Sequence, residues 1–354
     1  MKGVFDRACG RRLQDLYHKG IKAEIFKAVH QVARPRGAPS AEQFAFVEGP
    51  LPVPGPGEAL VENLYLSVDP YMREMMDGGW KLNAPLEGRS VGRVVESNEP
   101  ALKPGQLVFH RQGWRTHAVV KSKDVRFLME RPGVPTSAYL GILGGTGLSA
   151  YIALAKVAKL EKGEDVFITS AAGGVGTAAG QIARLMGARR VVGSAGSPAK
   201  VRHLLDELHF DAAFDYHAGP MPELLAKAAP EGFHVCVENV GGEQLEAAIG
   251  AMRPHGRIAW VGAVAQYNDL KAPPPAPRNL YDVVSKSLRL EGFLVRDYNH
   301  AQNELEEFLA PHIGSGRVRL EETVVEGFEN IVTAFLGVMK GANVGKMIVK
   351  AAQP

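Results

Sequence analysis

The chain has 354 residues, of which 45% are hydrophobic, and 41 basic and 38 acidic side chains leave a formal charge of +3. This length usually holds two domains, and charges mixed along the chain without a dense basic block do not indicate nucleic-acid binding. No apolar run is long enough for a membrane span, and two cysteines, Cys9 and Cys236, cannot make a disulfide framework, so we expect a cytoplasmic protein without a membrane partner.

Residues 1–20 are predicted to be an N-terminal extension without an assigned role. Arg7, Arg11 and Arg12 lie among apolar residues at roughly helical spacing, but Asp6 and Asp15 argue against a transit peptide. We therefore leave this segment outside the predicted domains.

Residues 21–137 contain short β-type runs separated by glycine and proline clusters, and no periodic helix interrupts them convincingly. The predicted strands cover residues 25–33, 44–47, 59–68, 90–96, 107–109 and 116–120. We expect a β-rich domain over this region.

Residues 138–316 change to an alternation of strands and helices, which is typical of a doubly wound parallel sheet. The pattern predicts strands at 212–216, 233–240, 257–263 and 288–295, and helices at 221–229, 243–252 and 303–313. Residues 317–354 again look mixed and are predicted to return to the first domain. The expected fold class is α/β, a Rossmann domain beside a β-rich domain.

A glycine-rich loop, Ala171-x-Gly173-x-x-Gly176, joins the apolar run that starts at Asp165 to a helix over residues 177–187. Backbone N–H groups at such a helix start can hold a diphosphate, and a side chain at Gly173 would keep it away. The alternative is a tight turn that lets the helix pack closely on the strand. A second apolar run at 189–196 completes a βαβ unit and favours a dinucleotide.

The end of that second run favours NADP(H) over NAD(H). An NAD site places a carboxylate about 20 residues past the loop, on the ribose hydroxyl. Residues 193–200 contain none, and instead offer small residues, a hydroxyl such as that of Ser194, and Lys200. These accept a 2′-phosphate, although an ordinary surface lysine is the alternative for Lys200.

Six separated motifs follow one another along the chain. They are Ser67-Val-Asp-Pro-Tyr-Met-Arg73, residues 141–151, the glycine-rich loop, Glu238-Asn-Val-Gly-Gly242, Glu291-Gly-Phe-Leu-Val295 and Gly341-Ala-Asn-Val-Gly-Lys346. Together they resemble the zinc-independent medium-chain dehydrogenase/reductases, and within them the alkenal/one reductases, which include leukotriene/prostaglandin reductases and curcumin reductases. The resemblance runs from about residue 21 to 349 in consistent order.

This resemblance implies a GroES-like catalytic domain joined to the Rossmann domain, with NADPH in the cleft between them and a homodimer formed through the Rossmann sheet. It also implies that no metal takes part. The zinc-using relatives have cysteine ligands in the first domain, whereas no cysteine lies between Cys9 and Cys236 here.

The implied reaction is the reduction of an activated alkene in a small enone or enal. Hydride adds to the carbon β to the carbonyl, charge moves to the oxygen as an enolate, and the α-carbon takes a proton. A phenol suits the oxygen, because it donates without being charged. Tyr267, at the carboxyl end of a Rossmann strand, and Tyr71, in the first domain, are the predicted catalytic residues; packing is the alternative for each, and Arg73 is predicted to be a structural ion-pair residue.

The cofactor residues that the resemblance implies fall into three groups, for the diphosphate, the adenosine phosphate and the nicotinamide half. Tyr216 has packing as its alternative, Asn239 a turn or helix cap, and Asn343 a hairpin turn. The residues are Gly173, Gly174, Val175 and Gly176; Ser194, Lys200 and Tyr216; and Asn239, Gly262, Ala263, Tyr267, Phe293, Leu294, Val295 and Asn343.

Two other functions remain open at this point. One is a quinone oxidoreductase of the same superfamily, with the same loop and no zinc. The other is a dinucleotide-binding protein without turnover, which could lose Tyr71 and Tyr267; the presence of both favours catalysis. The physiological substrate is not predicted.

Overall fold

The computed structural model describes residues 25–268 and 274–353. The predicted extension at 1–20 lies outside the described residues. The strands are β1 (Ile25–Gln31), β2 (Phe44–Pro50), β3 (Ala59–Ser67), β4 (Ser90–Ser97), β5 (Leu107–His110), β6 (His117–Val120), β7 (Arg126–Phe127), β8 (Asp165–Ile168), β9 (Arg190–Ala195), β10 (Ala212–Asp215), β11 (Phe233–Glu238), β12 (Met252–Trp260), β13 (Arg289–Gly292), β14 (Glu322–Glu326) and β15 (Lys346–Lys350).

The helices connect these strands, and the two longest are Gln302–Gly314 and Gly174–Leu185. Met75–Gly79 continues the first helix and Ile152–Val157 the second, both as π-helical turns. The helices are α1 (Met72–Glu74), α2 (Gly145–Tyr151), α3 (Gly174–Leu185), α4 (Pro198–Asp206), α5 (Met221–Ala228), α6 (Gly242–Ala251), α7 (Tyr281–Ser285), α8 (Gln302–Gly314) and α9 (Ile331–Met339).

A six-stranded parallel sheet confirms the predicted doubly wound fold. Its spatial order is β10-β9-β8-β11-β12-β13, so the chain winds outward from β8 in one direction and then from β11 in the other. The crevice at the carboxyl ends of β8 and β11 is the place where ligands bind in sheets of this kind. Helices cover both faces, which explains why Val166, Phe167 and Ile168 are all fully buried.

A second sheet of seven strands contains the β-rich region together with the end of the chain. Its order is β14-β15-β3-β4-β5-β7, with β6 also paired to β3, and β1 and β2 form a separate hairpin sheet. The aromatic core beside it joins early and late residues: the Trp114 ring centroid lies 5.6 Å from that of Phe44 and 5.8 Å from that of Phe335 in α9. Strands β14 and β15 and helix α9 therefore pack with the first part of the chain.

Two elements differ from the sequence-based expectation. The region 21–137 contains α1 and its π-helical turn, because Met72 and Met76 are fully buried and anchor a segment too short to show a period. The strand predicted at 288–295 ends at Gly292, because the chain then turns into a 3₁₀ segment, Val295–Ala301, where Phe293 packs edge-on against Tyr298.

Candidate functional site

The glycine-rich loop lies at the crevice between β8 and β11 and begins α3. Its N-cap, Gly173, makes no side-chain capping hydrogen bond, so the N–H groups of the first turn are left for a ligand. A Cβ atom on Gly176 would lie 2.4 Å from the carbonyl oxygen of Ser170, so only glycine fits there. These features fit the diphosphate of a dinucleotide, with Gly174 and Val175 supplying further N–H groups.

The end of the chain returns to the loop and pairs with it. Gly345 forms a parallel bridge with Gly173, and its N–H donates to the carbonyl oxygen of Ala172 at 2.8 Å. Asn343 lies at the same contact and donates through Nδ2 to the carbonyl oxygen of Gly345 at 2.6 Å. Asn343 thus lies beside the loop, and its hydrogen bond fits the turn that was the alternative for it, while its contact with the nicotinamide half stays a prediction.

Lys200 and Tyr216 lie at the ends of β9 and β10, where an adenosine phosphate would be expected. Lys200 is in the first turn of α4, whose N-cap Ser197 accepts from the Lys200 N–H, and burial lowers its pKa. Its Nζ donates to the carbonyl oxygen of Gly341 at 2.7 Å. Tyr216 lies over Gly196, where an added Cβ atom would be 3.3 Å from the phenol oxygen.

Ser194 is placed differently from what the sequence suggested. Its side chain is fully buried, and its hydroxyl donates to Oε1 of Gln244 at 2.8 Å, in the space between the sheet and α6. Strand alternation turns this side chain toward the face of the sheet on which α6 packs. The hydroxyl is committed to Gln244, so a proposal for the adenosine phosphate rests on Lys200 and Tyr216 instead.

Asn239, Gly262, Ala263 and Tyr267 come together at the ends of β11 and β12. Asn239 donates through Nδ2 to the carbonyl oxygen of Thr169 at 2.8 Å, which fixes its side chain at the crevice. A Cβ atom on Gly262 would lie 3.2 Å from the Tyr267 hydroxyl and 3.4 Å from the carbonyl oxygen of Asn239. The tyrosine hydroxyl is therefore held at the strand ends, against backbone.

The residues Phe293, Leu294 and Val295 directly follow β13 at the same edge of the sheet. Phe293 and Val295 are half-buried against the main core, whereas Leu294 is 54% exposed. Phe293 and Val295 therefore point into the core, and Leu294 lies at the surface.

Tyr71 presents a buried phenol without a hydrogen-bond partner among the described residues. Burial raises its pKa strongly, and the Arg89 guanidinium, 5.2 Å from the ring centroid, opposes the rise. The next residues of this segment form α1, where Arg73 pairs with Asp77 at 2.9 Å and so has the structural role predicted for it.

Tyr267 lies within electrostatic reach of the segment that carries Tyr71. Burial raises the pKa of Tyr267, and Glu74 in α1 raises it further, while hydrogen bonding to the Ala263 backbone opposes the change. Because Glu74 lies one turn after Tyr71, the segment carrying Tyr71 approaches Tyr267. Both phenols stay neutral near physiological pH and can donate a hydrogen bond.

Sequence reasoning missed a buried acid in this crevice. Glu238 is fully buried at the end of β11, accepts from the Gly241 N–H at 2.9 Å and the Thr169 hydroxyl at 3.0 Å, and has its pKa raised to about 7 by burial. Its position in the quoted Glu238–Gly242 motif was the available signal. This acid ties the ends of β8 and β11 together.

In the described ranges, 25–268 and 274–353, no group of three or more His, Cys, Asp or Glu side chains is arranged to hold a metal ion. Over the same ranges no helix has the length and apolar character needed to cross a membrane. Cys236 is fully buried, and burial raises its thiol pKa.

Comparison with known proteins gives matches over most of the chain. Models described as the N-terminal domain of oxidoreductase and as zinc-binding dehydrogenase match residues 27–128 and 174–311. NADPH-dependent curcumin reductase of Escherichia coli (strain K12) is 36% identical over 330 residues, 90% of this chain and 95% of that protein. The NADP(+)-dependent 2-alkenal reductase of Nicotiana tabacum is 38% identical over 307 residues, 84% of this chain and 89% of that protein.

Among solved structures, CurA of Vibrio vulnificus in complex with NADPH superimposes with a TM-score of 0.87 and 31% identity. The match covers 93% of this chain and 100% of that one. Both predicted domains therefore have a counterpart in a single known architecture.

Proposed function

The chain belongs to the zinc-independent medium-chain dehydrogenase/reductases, and from this premise we propose that it reduces the carbon–carbon double bond of α,β-unsaturated ketones and aldehydes. It is an NADP-dependent oxidoreductase of the double-bond reductase branch. The observation that carries the substrate proposal is the buried Tyr71 hydroxyl without a partner in the described residues, together with the Tyr267 hydroxyl beside Gly262 at the end of β12.

When bound, NADPH supplies a hydride to the carbon β to the carbonyl, and the double-bond electrons move to the carbonyl oxygen. We assign to Tyr267 the hydrogen bond that stabilises this oxygen, because its hydroxyl is held at the ends of β11 and β12. We assign Tyr71 to the substrate side, because its hydroxyl lacks a partner in the described residues and a carbonyl oxygen would satisfy it. The α-carbon then takes a proton from Tyr267 or from water.

The cofactor residues are proposed in the same way. The first turn of α3 holds the diphosphate, Lys200 and Tyr216 the adenosine phosphate, and Asn239 the nicotinamide half. Lys200 lies in the first turn of α4, just after β9. Its ammonium can therefore exchange the Gly341 carbonyl oxygen for a phosphate oxygen, and the hydrogen bond to the charged phosphate would be the stronger of the two.

Three further proposals concern the molecule as a whole: the domain division at residues 21–137, 138–316 and 317–354, a cytoplasmic location, and a homodimer. The homodimer is supported by β13, whose only described neighbour in the sheet is β12, and by the exposed side chains of Leu280 and Tyr281 near that edge. Light scattering at micromolar concentration should give the mass of two 38.1 kDa chains; the mass of one chain would contradict the dimer.

The function is tested by following NADPH oxidation with matched enones, enals and quinones, and repeating the series with NADH. We expect turnover of enones and enals and a clear preference for NADPH. Quinone turnover with inert enones would favour the quinone oxidoreductase, and equal use of NADH would contradict the role of Lys200. NADPH binding without turnover of any compound would favour a non-catalytic protein.

A further inference from the structure

Arg89 is a cation in the cleft that the proposed function does not use. Its side chain is 15% exposed and lies between the two sheets. On one side Cζ is 5.2 Å from the ring centroid of Tyr71, and on the other it would be 2.8 Å from a Cβ atom on Gly145, which begins α2. The next residue, Thr146, contacts Gly174 of the cofactor loop, where an added Cβ atom would be 3.1 Å from Thr146 Cγ2.

Two buried cations share one carboxylate at this place. Lys346 Nζ is 3.1 Å from Asp69 Oδ1, and Ser67 donates to Asp69 Oδ2 at 2.5 Å. Arg89 Nη1 is 3.6 Å from the same Oδ2, which is too long for a hydrogen bond. Although burial alone would raise it, Lys346 and Arg89 hold the pKa of Asp69 below its ordinary value. The short contacts of Asp69 therefore go to Lys346 and Ser67, and Arg89 has only the longer one.

No carboxylate of the described ranges other than Asp69 lies within ion-pair distance of Arg89, although the charge of Glu87 acts on it from farther away. Glu87 is engaged by Arg111, whose Nε donates to Glu87 Oε1 at 2.7 Å. Burial raises the pKa of Glu322, the other carboxyl group beside Lys346, and so favours its neutral form. The Arg89 side chain donates no hydrogen bond to any residue in the described ranges. The guanidinium is partly exposed, and its surroundings raise its pKa, so it is charged and its N–H donors remain available to an anion from outside the chain.

We propose that Arg89 binds a carboxylate carried by the substrate, so that the enzyme prefers enones and enals with an acidic chain over their neutral analogues. The inference rests on the proposed function, which assigns the Tyr71 side of the cleft to substrate. The contact with the Tyr71 ring uses none of the N–H donors of the guanidinium as hydrogen bonds, and these donors match a carboxylate in bidentate fashion. The cofactor diphosphate has its own donors in the first turn of α3, so the substrate is the ligand left for Arg89.

The test uses two substrates that differ only in charge, 6-oxohept-4-enoate and its primary carboxamide. Their two methylenes separate the acid group from the enone, so the reactivity of the double bond is the same. Values of kcat/KM are measured at saturating NADPH for wild type, Arg89→Gln, Arg89→Lys and Arg93→Gln. Arg93 is the matched control, because it lies on β4 and donates to the Gly105 carbonyl oxygen at the surface.

For the wild type we expect kcat/KM to be about tenfold or more higher for the acid than for the amide. Arg89→Gln should abolish this ratio, whereas Arg89→Lys should retain part of it and Arg93→Gln all of it. A wild type without preference, or an unchanged ratio in Arg89→Gln, would overturn the proposal. So would a higher KM for NADPH at an unchanged ratio, which would assign Arg89 to the cofactor.

A binding measurement separates this inference from the proposed function. The saturated compounds 6-oxoheptanoate and 6-oxoheptanamide are titrated calorimetrically into the protein with NADP⁺ bound. Tighter binding of the acid that is lost in Arg89→Gln supports the anion site even if neither the enone acid nor the enone amide is turned over, a result that would refute only the proposed function. Equal binding of acid and amide overturns the anion site even if both enones are reduced.

Discussion

At the scale of single residues, the environment of each tyrosine decides what it can contribute. The Tyr71 hydroxyl is buried without a partner in the described chain, whereas the Tyr267 hydroxyl rests against the backbone at Gly262 and Ala263. Burial raises the pKa of both phenols, so both stay protonated near physiological pH. Each phenol is a neutral donor, and the better held of the two is Tyr267.

Tyr267→Phe removes the proposed donor to the carbonyl oxygen while keeping the ring. We expect kcat for an enone to fall by about a hundredfold, with little change in the KM for NADPH, because the hydrogen bond strengthens as charge develops. Steady-state kinetics check this against Tyr65→Phe, a tyrosine of β3 that pairs with Lys350 at the end of the chain. Full activity in Tyr267→Phe would remove this residue from the catalytic list.

Site residues that belong to a local sequence motif could be predicted, whereas residues whose role depends on a contact with a distant part of the chain could not. The loop Gly173–Gly176 and Lys200 follow from local spacing, and their positions in the structure agree with it. Ser194 was named from the same stretch, but its hydroxyl is bonded to Gln244, which is 50 residues away. The sequence does not predict Arg89 as a site residue, because its proposed role depends on contacts with Tyr71 and Asp69 that form only on folding.

At the scale of elements, the returning end of the chain supports the cofactor loop. Gly345 has a φ of +65°, and a Cβ atom on it would lie 2.0 Å from the carbonyl oxygen of Glu321. Its N–H is bonded to Ala172 at the start of the loop. The loop is therefore shaped by β15 as well as by its own glycines.

Gly345→Ala should destabilise the protein by about 3 kcal/mol, because a left-handed conformation and a backbone clash are combined. Gly37→Ala is the control: its φ is +79°, but nothing lies within 4 Å of the added carbon. That variant should lose only about 1 kcal/mol. Denaturant unfolding measures both, and equal losses would show that the contact with Glu321 adds nothing.

The elements were predicted where they repeat a simple pattern. Strands of the first region were recognised from β-type runs between turns, and the parallel sheet from strand–helix alternation. The helix α1 was missed, because its few residues are stabilised by burying Met72 and Met76 and not by a periodic sequence. Short segments of this kind are set by tertiary packing, which no local pattern reports.

At the scale of the whole molecule, Glu238 makes stability depend on pH. Burial raises its pKa from 4.5 to about 7, against the donors at Gly241, Val240 and Thr169 that lower it. The folded chain thus holds this proton more tightly than the unfolded chain does. Its contribution to the free energy of unfolding is greatest at low pH and is lost as pH rises from about 4.5 to about 7.

Glu238→Gln removes that titration. Relative to the variant, the wild type should lose about 3 kcal/mol of unfolding free energy between about pH 4.5 and about pH 8. Urea unfolding of both proteins across this range gives the difference directly, and contributions common to both cancel. Parallel stability curves would show that Glu238 does not titrate in this range.

The architecture as a whole also explains the limit of sequence reasoning about the site. Tyr71 follows β3 of the seven-stranded sheet, the loop and Tyr267 follow β8 and β12 of the six-stranded sheet, and Gly345 precedes β15 near the end of the chain. Each lies in a motif that can be recognised alone. Their arrangement around one crevice follows only once the two sheets are packed together.

The central claim, that hydride is delivered to the carbon β to a carbonyl, is tested most directly by isotope position. The protein is incubated with a simple enone and NADPH carrying deuterium at the transferred position of C4, and the product is examined by NMR. The account predicts a saturated ketone with deuterium on the β-carbon and a solvent proton on the α-carbon. An allylic alcohol with deuterium on the carbonyl carbon, or unchanged enone beside a reduced quinone, would contradict it.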